Sequence, residues 1–150
     1  MTKSRTAQPP VPAGDRARRS PGWRWPLRVV ATVISILLWT QPLLIGLFLG
    51  GDYGKLEAHL AAGGVVASLM LLQFVASVPA WRPGGLPGWV VAVCAAMAAG
   101  GVVQIVAGLQ RNLGLHVPLG VTLAAAGLSV AIRAWWPTRP APAGDGGATR

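Results

Sequence analysis

Four long stretches of the chain contain no aspartate, glutamate, lysine or arginine. A helix needs about 20 predominantly apolar residues to cross a bilayer, and each stretch reaches that length. The stretches are Val29 to Gly51, Ala58 to Trp81, Pro83 to Gln110 and Asn112 to Ile132. The sequence therefore predicts a polytopic membrane protein with four transmembrane helices.

The composition supports this prediction, because the chain is 53% hydrophobic and only 11% charged. So few polar residues could not cover a soluble globule of this size. We expect an all-α fold, an integral membrane four-helix bundle in one domain over residues 23–136. The spans are predicted at about 27–50, 58–80, 87–109 and 115–135. The flanking segments 1–22 and 137–150 are rich in Pro, Ala, Gly and Arg and are predicted to be disordered.

The basic residues predict the orientation in the membrane. Lys55 and Arg111 lie in the first and third connections, whereas the other eleven of the 13 lysines and arginines lie in the termini and the second connection. By the positive-inside rule, both termini and the Arg82 connection face the cytoplasm. Six tryptophans fall near the cytoplasmic ends of the spans, as interfacial aromatic residues do: Trp23, Trp25, Trp81, Trp89, Trp135 and Trp136.

The net charge of +9 is distributed beside the apolar runs, where it sets topology and meets anionic lipid head groups. We therefore expect the lipid bilayer as the partner of this charge and no nucleic acid. The first apolar run is too long for the hydrophobic region of a signal peptide and is expected to remain as an anchor.

The chain contains only two histidines, and each is followed four residues later by glycine, as His59 with Gly63 and His116 with Gly120. Each pair follows a glutamine, a Gly-Leu dipeptide and a polar outer loop, so the halves resemble two repeated helical hairpins. Chance similarity between apolar helices is the alternative explanation. A true repeat would relate the hairpins by an axis along the membrane normal.

Both histidines are predicted near the outer ends of spans that run inward, and therefore at about the same depth. If spans 2 and 4 lie diagonally in the bundle, their axes are roughly 13 Å apart. Two imidazoles can then reach one iron from opposite sides, at the roughly 2 Å typical of metal–imidazole bonds. Gly63 and Gly120 lie one turn deeper on the same helix faces, where the lack of a side chain would let a flat macrocycle approach.

This arrangement resembles half of a haem A synthase. It more closely resembles small four-helix bacterial membrane proteins of unknown function. The residues that carry the resemblance are Glu57, His59, Gly63, His116 and Gly120. The resemblance implies haem b bound by His59 and His116, electron transfer, redox or assembly partners in the membrane, and location in the bacterial inner (plasma) membrane. In the synthase a glutamate precedes the first histidine by about one turn and an arginine follows it, whereas here Leu60 follows His59.

Several alternatives stay open at this point. A histidine near the interface can simply reach water, and the protein would then be a non-catalytic structural or accessory membrane subunit without cofactor. Zinc is a competing metal, with Asp52, Glu57 and the two histidines as ligands. Gln41, Gln73 and Gln104 can orient ligand imidazoles or form hydrogen bonds between helices.

Small residues in the spans are predicted to serve helix packing. They are Gly46 and Gly50, Gly100 and Gly101, and the row Gly120, Ala124, Gly127 and Ala131. Cys94 has no partner for an internal disulfide, and the chain lacks the C-x-x-C-H sequence of covalently attached haem. The spans contain no acidic residue, apart from their edges, that would support a proton pump. Whether the protein is an enzyme is left undecided by the sequence.

Overall fold

A computed structural model describes residues 21–137, which form one 3₁₀ turn followed by four α-helices and contain no strand. The turn covers Pro21–Arg24. The helices are α1 (Trp25–Leu49), α2 (Gly54–Trp81), α3 (Trp89–Leu109) and α4 (Leu113–Trp135). The segments predicted to be disordered, 1–22 and 137–150, lie outside the described residues, apart from residues 21, 22 and 137. Residues 21 and 22 belong to the 3₁₀ turn.

All four helices are long and apolar enough to cross a membrane. In each helix, only 17% to 28% of the most apolar 18-residue segment is buried inside the bundle. Leucine, valine, isoleucine and tryptophan side chains therefore cover the outside of the bundle, where water would be an unfavourable solvent and lipid a favourable one. The prediction of an all-α, multi-pass integral membrane protein is confirmed.

The helices pack in chain order around a square. Helix α1 contacts α2 and α4, and α3 contacts the same two helices. The pairs α1 with α3 and α2 with α4 consequently lie across the diagonals. Short connections make each neighbouring pair antiparallel, as in an up-down-up-down bundle. The diagonal placement of α2 and α4, assumed for the histidine pair, is therefore present in the fold.

Small residues allow the helices to approach closely. A Cβ atom on Gly101 of α3 would lie 2.9 Å from Sδ of Met70 in α2. A Cβ atom on Gly127 of α4 would lie 3.0 Å from Cδ1 of Leu38 in α1. Ala124 and Ala131, on the same face of α4 as Gly127, are buried. This row packs against neighbouring helices, as the sequence predicted. The same prediction is wrong for Gly46 and Gly50, which are exposed and meet no atom of another helix.

Helix α2 begins at Gly54, four residues before the predicted start of the second span. Lys55 and Glu57 consequently belong to its first turn, and His59 lies in the turn that follows. The third connection is a short turn in which Arg111 has φ of 56°. The Asn112 side chain accepts a hydrogen bond from the backbone N–H of Leu115 at 3.2 Å. This N-cap fixes the start of α4 just before His116.

Aromatic and basic residues join α1 to α4 at the opposite end from the histidines. The rings of Trp25 and Trp135 meet edge to face at 5.5 Å. The guanidinium of Arg28 lies 5.5 Å and 5.1 Å from these two ring centroids, and its Nε donates to the carbonyl of Ala134 at 3.0 Å. Cation–π contacts and a buried carbonyl acceptor therefore hold this end of the bundle together.

We predict that the end of the bundle that carries these tryptophans faces the cytoplasm. Single cysteines at Tyr53 and Trp89, in a Cys94→Ala background, place labels at opposite ends while keeping every basic residue. Both parent side chains are exposed, at 77% and 49%. A membrane-impermeant maleimide added to intact cells should label Tyr53→Cys and should label Trp89→Cys only after the membrane is opened. Labelling of Trp89→Cys in intact cells would show that this end of the bundle faces outward, contrary to the prediction.

Candidate functional site

The two histidines meet across the diagonal of the bundle. His59 lies near the start of α2 and His116 in the first turn of α4, both half-buried. Their ring centroids are 6.1 Å apart and their planes are inclined by 64°. Since α2 and α4 do not pack directly against each other, the side chains themselves span the space between the helices. The predicted pair of residues is therefore brought together.

The distance between the rings is the separation that a shared metal ion requires. A metal binds an imidazole nitrogen at roughly 2 Å, so two imidazoles on opposite sides of one ion have centroids about 6 Å apart. Direct stacking of two rings would bring the centroids closer, to roughly 4.5 to 5.5 Å, although an edge-to-face pair can also reach 6 Å. The observed spacing is compatible with both a direct edge-to-face contact and a shared metal ion.

His116 is held in one orientation by α3. Its Nδ1 lies 2.9 Å from the backbone carbonyl oxygen of Gln104. A carbonyl can only accept a hydrogen bond, so Nδ1 carries the proton and, in the neutral ring, Nε2 carries the free lone pair. Metal-ligating histidines are commonly oriented by such a bond from the other ring nitrogen. The hydrogen bond therefore fixes the ring with Nδ1 toward the Gln104 carbonyl and leaves Nε2 as the acceptor nitrogen of the neutral ring.

Gly108 provides the surface against which the His116 ring rests. A Cβ atom on Gly108 would lie 2.9 Å from Cε1 and 3.1 Å from Nδ1 of His116. No side chain larger than hydrogen fits there while the ring keeps its position. The sequence had shown Gly108 only as part of the weak internal repeat, and its contact with His116 was not predicted.

His59 has a related but less complete environment. The backbone of Gln41 in α1 lies near the His59 imidazole, but it forms no hydrogen bond like that of Gln104 with His116. Nδ1 of His59 is nevertheless buried without a hydrogen-bond partner among the described residues. Gly46 is the counterpart of Gly108 in the first half. A Cβ atom on Gly46 would have no other atom within 4 Å. The first hairpin therefore lacks the close ring contact of the second.

Gly63 and Gly120 face glutamine side chains from the preceding helices. A Cβ atom on Gly120 would lie 2.8 Å from Nε2 of Gln104, and one on Gly63 would lie 3.9 Å from Oε1 of Gln41. Each hairpin thus brings one glutamine, one histidine and one glycine together. The correspondence between the hairpins is partial, since the contact of Gly108 with His116 has no equivalent at Gly46.

Three buried polar atoms near the histidines have no hydrogen-bond partner among the described residues. They are Nε2 of Gln41, Nδ1 of His59 and Oε1 of Gln104. An unpaired buried polar atom costs about 1 to 3 kcal/mol, so native proteins rarely leave such atoms without a protein, water or ligand partner. At this end of the bundle, water or another polar group can serve as their partner.

The acidic residues do not join the histidines. Asp52 is exposed and forms an ion pair with Lys55 at 3.4 Å, and Glu57 is also exposed. No group of three or more His, Cys, Asp or Glu side chains that could hold a metal ion occurs within residues 21–137. The four-ligand zinc alternative is therefore not supported by the described residues.

Gln73 does not belong to this site. It lies fourteen residues after His59 in α2, which is about 21 Å along a helix. Its side chain is fully buried near Ser77 and Cys94, in the core of the bundle. The two outer glutamines, Gln41 and Gln104, are those that contact the histidines and glycines, and the contact with His116 comes from a backbone carbonyl rather than from an amide group.

Comparisons of the chain with protein-family models, with curated proteins and with solved structures found no match. The geometry of the described residues is therefore the basis for assigning a function.

We predict that Gly108→Ala lowers the thermal stability of the purified protein relative to Gly46→Ala. In both variants alanine favours the helix by about 1 kcal/mol. Only the alanine at position 108 displaces the His116 ring, with loss of a hydrogen bond that contributes about 1 kcal/mol. Melting temperatures in one detergent, followed by circular dichroism, measure the difference. Equal melting temperatures would show that His116 does not depend on this contact.

Proposed function

We propose that the protein is a small b-type cytochrome-like membrane protein that binds one haem b between His59 and His116. The observation that carries this proposal is the 6.1 Å separation of two imidazoles on diagonal helices. The fixed orientation of His116, with Nε2 free to bind, supports it. Haem bound by two imidazoles supplies reversible one-electron transfer, since both axial positions of the iron are filled.

The protein residues would have three separate tasks. His59 and His116 bind the iron, and the Gln104 carbonyl keeps the His116 ring in place through Nδ1. Gly63 and Gly120 leave the adjoining helix surfaces without side chains. The neighbouring apolar helix faces exclude water, which tunes the reduction potential of a bound haem.

The side-chain amides of Gln41 and Gln104 lie beside the two glycines and so border the same space. A glutamine side chain is flexible and can move to another rotamer. Movement of these amides would open the glycine surfaces and would bring the unpaired Gln41 Nε2 and Gln104 Oε1 atoms to new partners. A flat ligand therefore reaches Gly120 only after the Gln104 amide has moved away from it.

A structural or accessory subunit without cofactor is the second candidate. It is favoured by the contact of Gln104 Nε2 at Gly120, which fills the glycine surface with a side chain of the protein itself. In that function, the histidines and glutamines would form polar contacts that specify how the helices assemble.

The absorption spectrum of the full-length protein, purified from haem-replete cells, distinguishes the two candidates. Haem binding predicts a low-spin b-type spectrum with sharp bands on reduction and no change on addition of carbon monoxide. His59→Ala and His116→Ala should each open one iron position to carbon monoxide or lose the haem. Leu60→Ala and Val117→Ala are matched controls, since each alters an exposed neighbour of one histidine and should leave the spectrum unchanged.

A colourless wild-type protein that is correctly folded by circular dichroism would reject the cytochrome proposal and favour the accessory subunit. A haem spectrum that is the same in both histidine variants as in the wild type would reject His59 and His116 as the ligands.

A further inference from the structure

A cleft opens at the end of the bundle opposite the histidines. It lies beside the last turns of α2 and α4 and the connection between α2 and α3, and its volume is about 500 Å³. The residues that line it are Trp81, Arg82, Gly85, Leu86, Pro87 and Arg133. Two guanidinium groups thus border a space large enough for a phosphate group with its substituents.

Arg133 has unused hydrogen-bonding capacity in this cleft. Its Nη1 atom is buried and has no hydrogen-bond partner among the described residues. Arginine stays charged under all physiological conditions, so the group cannot avoid the cost of burial by losing a proton. A buried, unpaired N–H of a cation is satisfied best by an anionic acceptor.

Arg82 is held in place at the mouth of the cleft. Its guanidinium carbon lies 4.6 Å from the ring centroid of Trp81. Stacking of a guanidinium on an indole occupies the face of the group and leaves its N–H edge free for hydrogen bonds. The contact therefore prepares Arg82 to bind an anion with little further loss of side-chain freedom.

Within residues 21–137, no acidic side chain neutralises these two arginines. Asp52 and Glu57 are the only acidic residues within 21–137, and both lie at the other end of the bundle. The last carbonyls of α2, at residues 79–81, accept hydrogen bonds from the backbone N–H groups of residues 84–86. The carbonyl of Gly84 accepts one from Nε of Arg24 at 2.7 Å. The negative end of the α2 dipole is thus largely capped, and the cleft stays positive.

We propose that this cleft binds the phosphate group of an anionic phospholipid, with Arg133 and Arg82 as the donors. Arginine pairs bind phosphate oxygens through charge-assisted, often bidentate hydrogen bonds. The lipid is favoured over a free phosphate because exposed tryptophans, Trp81 and Trp89, mark this level of the bundle as the interface where head groups lie. The site is independent of haem binding at the other end.

Native mass spectrometry of the full-length protein in neutral detergent tests the proposal. Phosphatidylglycerol and phosphatidylcholine of equal chain length are titrated into the wild type, into Arg82→Gln/Arg133→Gln, and into Lys55→Gln/Arg111→Gln. The control removes the same charge from the opposite end. We expect one phosphatidylglycerol to bind at least about tenfold more tightly than phosphatidylcholine, and this preference to be lost only in the Arg82 and Arg133 variant.

The single variant Arg82→Gln protects the test against misfolding, because this side chain is exposed and its removal leaves the core intact. It should weaken phosphatidylglycerol binding by several-fold. An equal preference in the wild type and both double variants, or no preference in the wild type, would overturn the proposal. Saturating inorganic phosphate identifies the source of the anion. Binding of inorganic phosphate without preference for phosphatidylglycerol would overturn the lipid assignment.

Discussion

A lipid bilayer offers no water to the peptide backbone, and the structure of this protein depends on that constraint. Each N–H and C=O group within the hydrocarbon must find its partner inside the chain, and a helix provides all of them locally. Four helices follow from four charge-free stretches, and the connections between them are only a few residues long. Polar and charged side chains are then concentrated at the two ends of the bundle. The few polar side chains between the ends lie where another helix can offer a hydrogen-bond partner.

The two ends of the bundle differ in the polar groups that they contain. One end holds the imidazole pair with the Gln41 and Gln104 side chains, and its carboxylates remain outside the pair. Among the described residues, the other end holds Arg24, Arg28, Arg82 and Arg133, and the first three contact carbonyl groups or indole rings. A redox centre near one surface and an anion site near the other are compatible, because roughly the length of the helices separates them. The basic end would also anchor the protein in an anionic leaflet.

The sequence predicts those features that arise from local composition. Charge-free length predicted the helices, and the matched depth of His59 and His116 predicted that they could meet once α2 and α4 were diagonal. The glycine row of α4 was predicted to pack between helices, and Gly127, Ala124 and Ala131 are buried as expected. These properties depend on residue type and spacing within one helix, which can be read directly from the chain.

Other features depend on the rotation of one helix against another, which single-sequence patterns do not contain. The contact of His116 with Gly108 and the role of the Gln104 carbonyl, rather than its amide, belong to this class. So does the separation of Asp52 and Glu57 from the histidines, which leaves the four-ligand zinc alternative without support. The early start of α2 at Gly54 was hidden because Lys55 and Glu57 interrupt the apolar pattern without interrupting the helix.

Electron paramagnetic resonance of the oxidised full-length protein tests the shared ligation of one iron by two imidazoles most directly. Two imidazole ligands impose a strong field on ferric haem, so a purely low-spin signal is expected from the wild type. A high-spin signal from bound haem would show that one of the two positions is not occupied by histidine. That result would contradict the assignment of His59 and His116 as a pair of ligands.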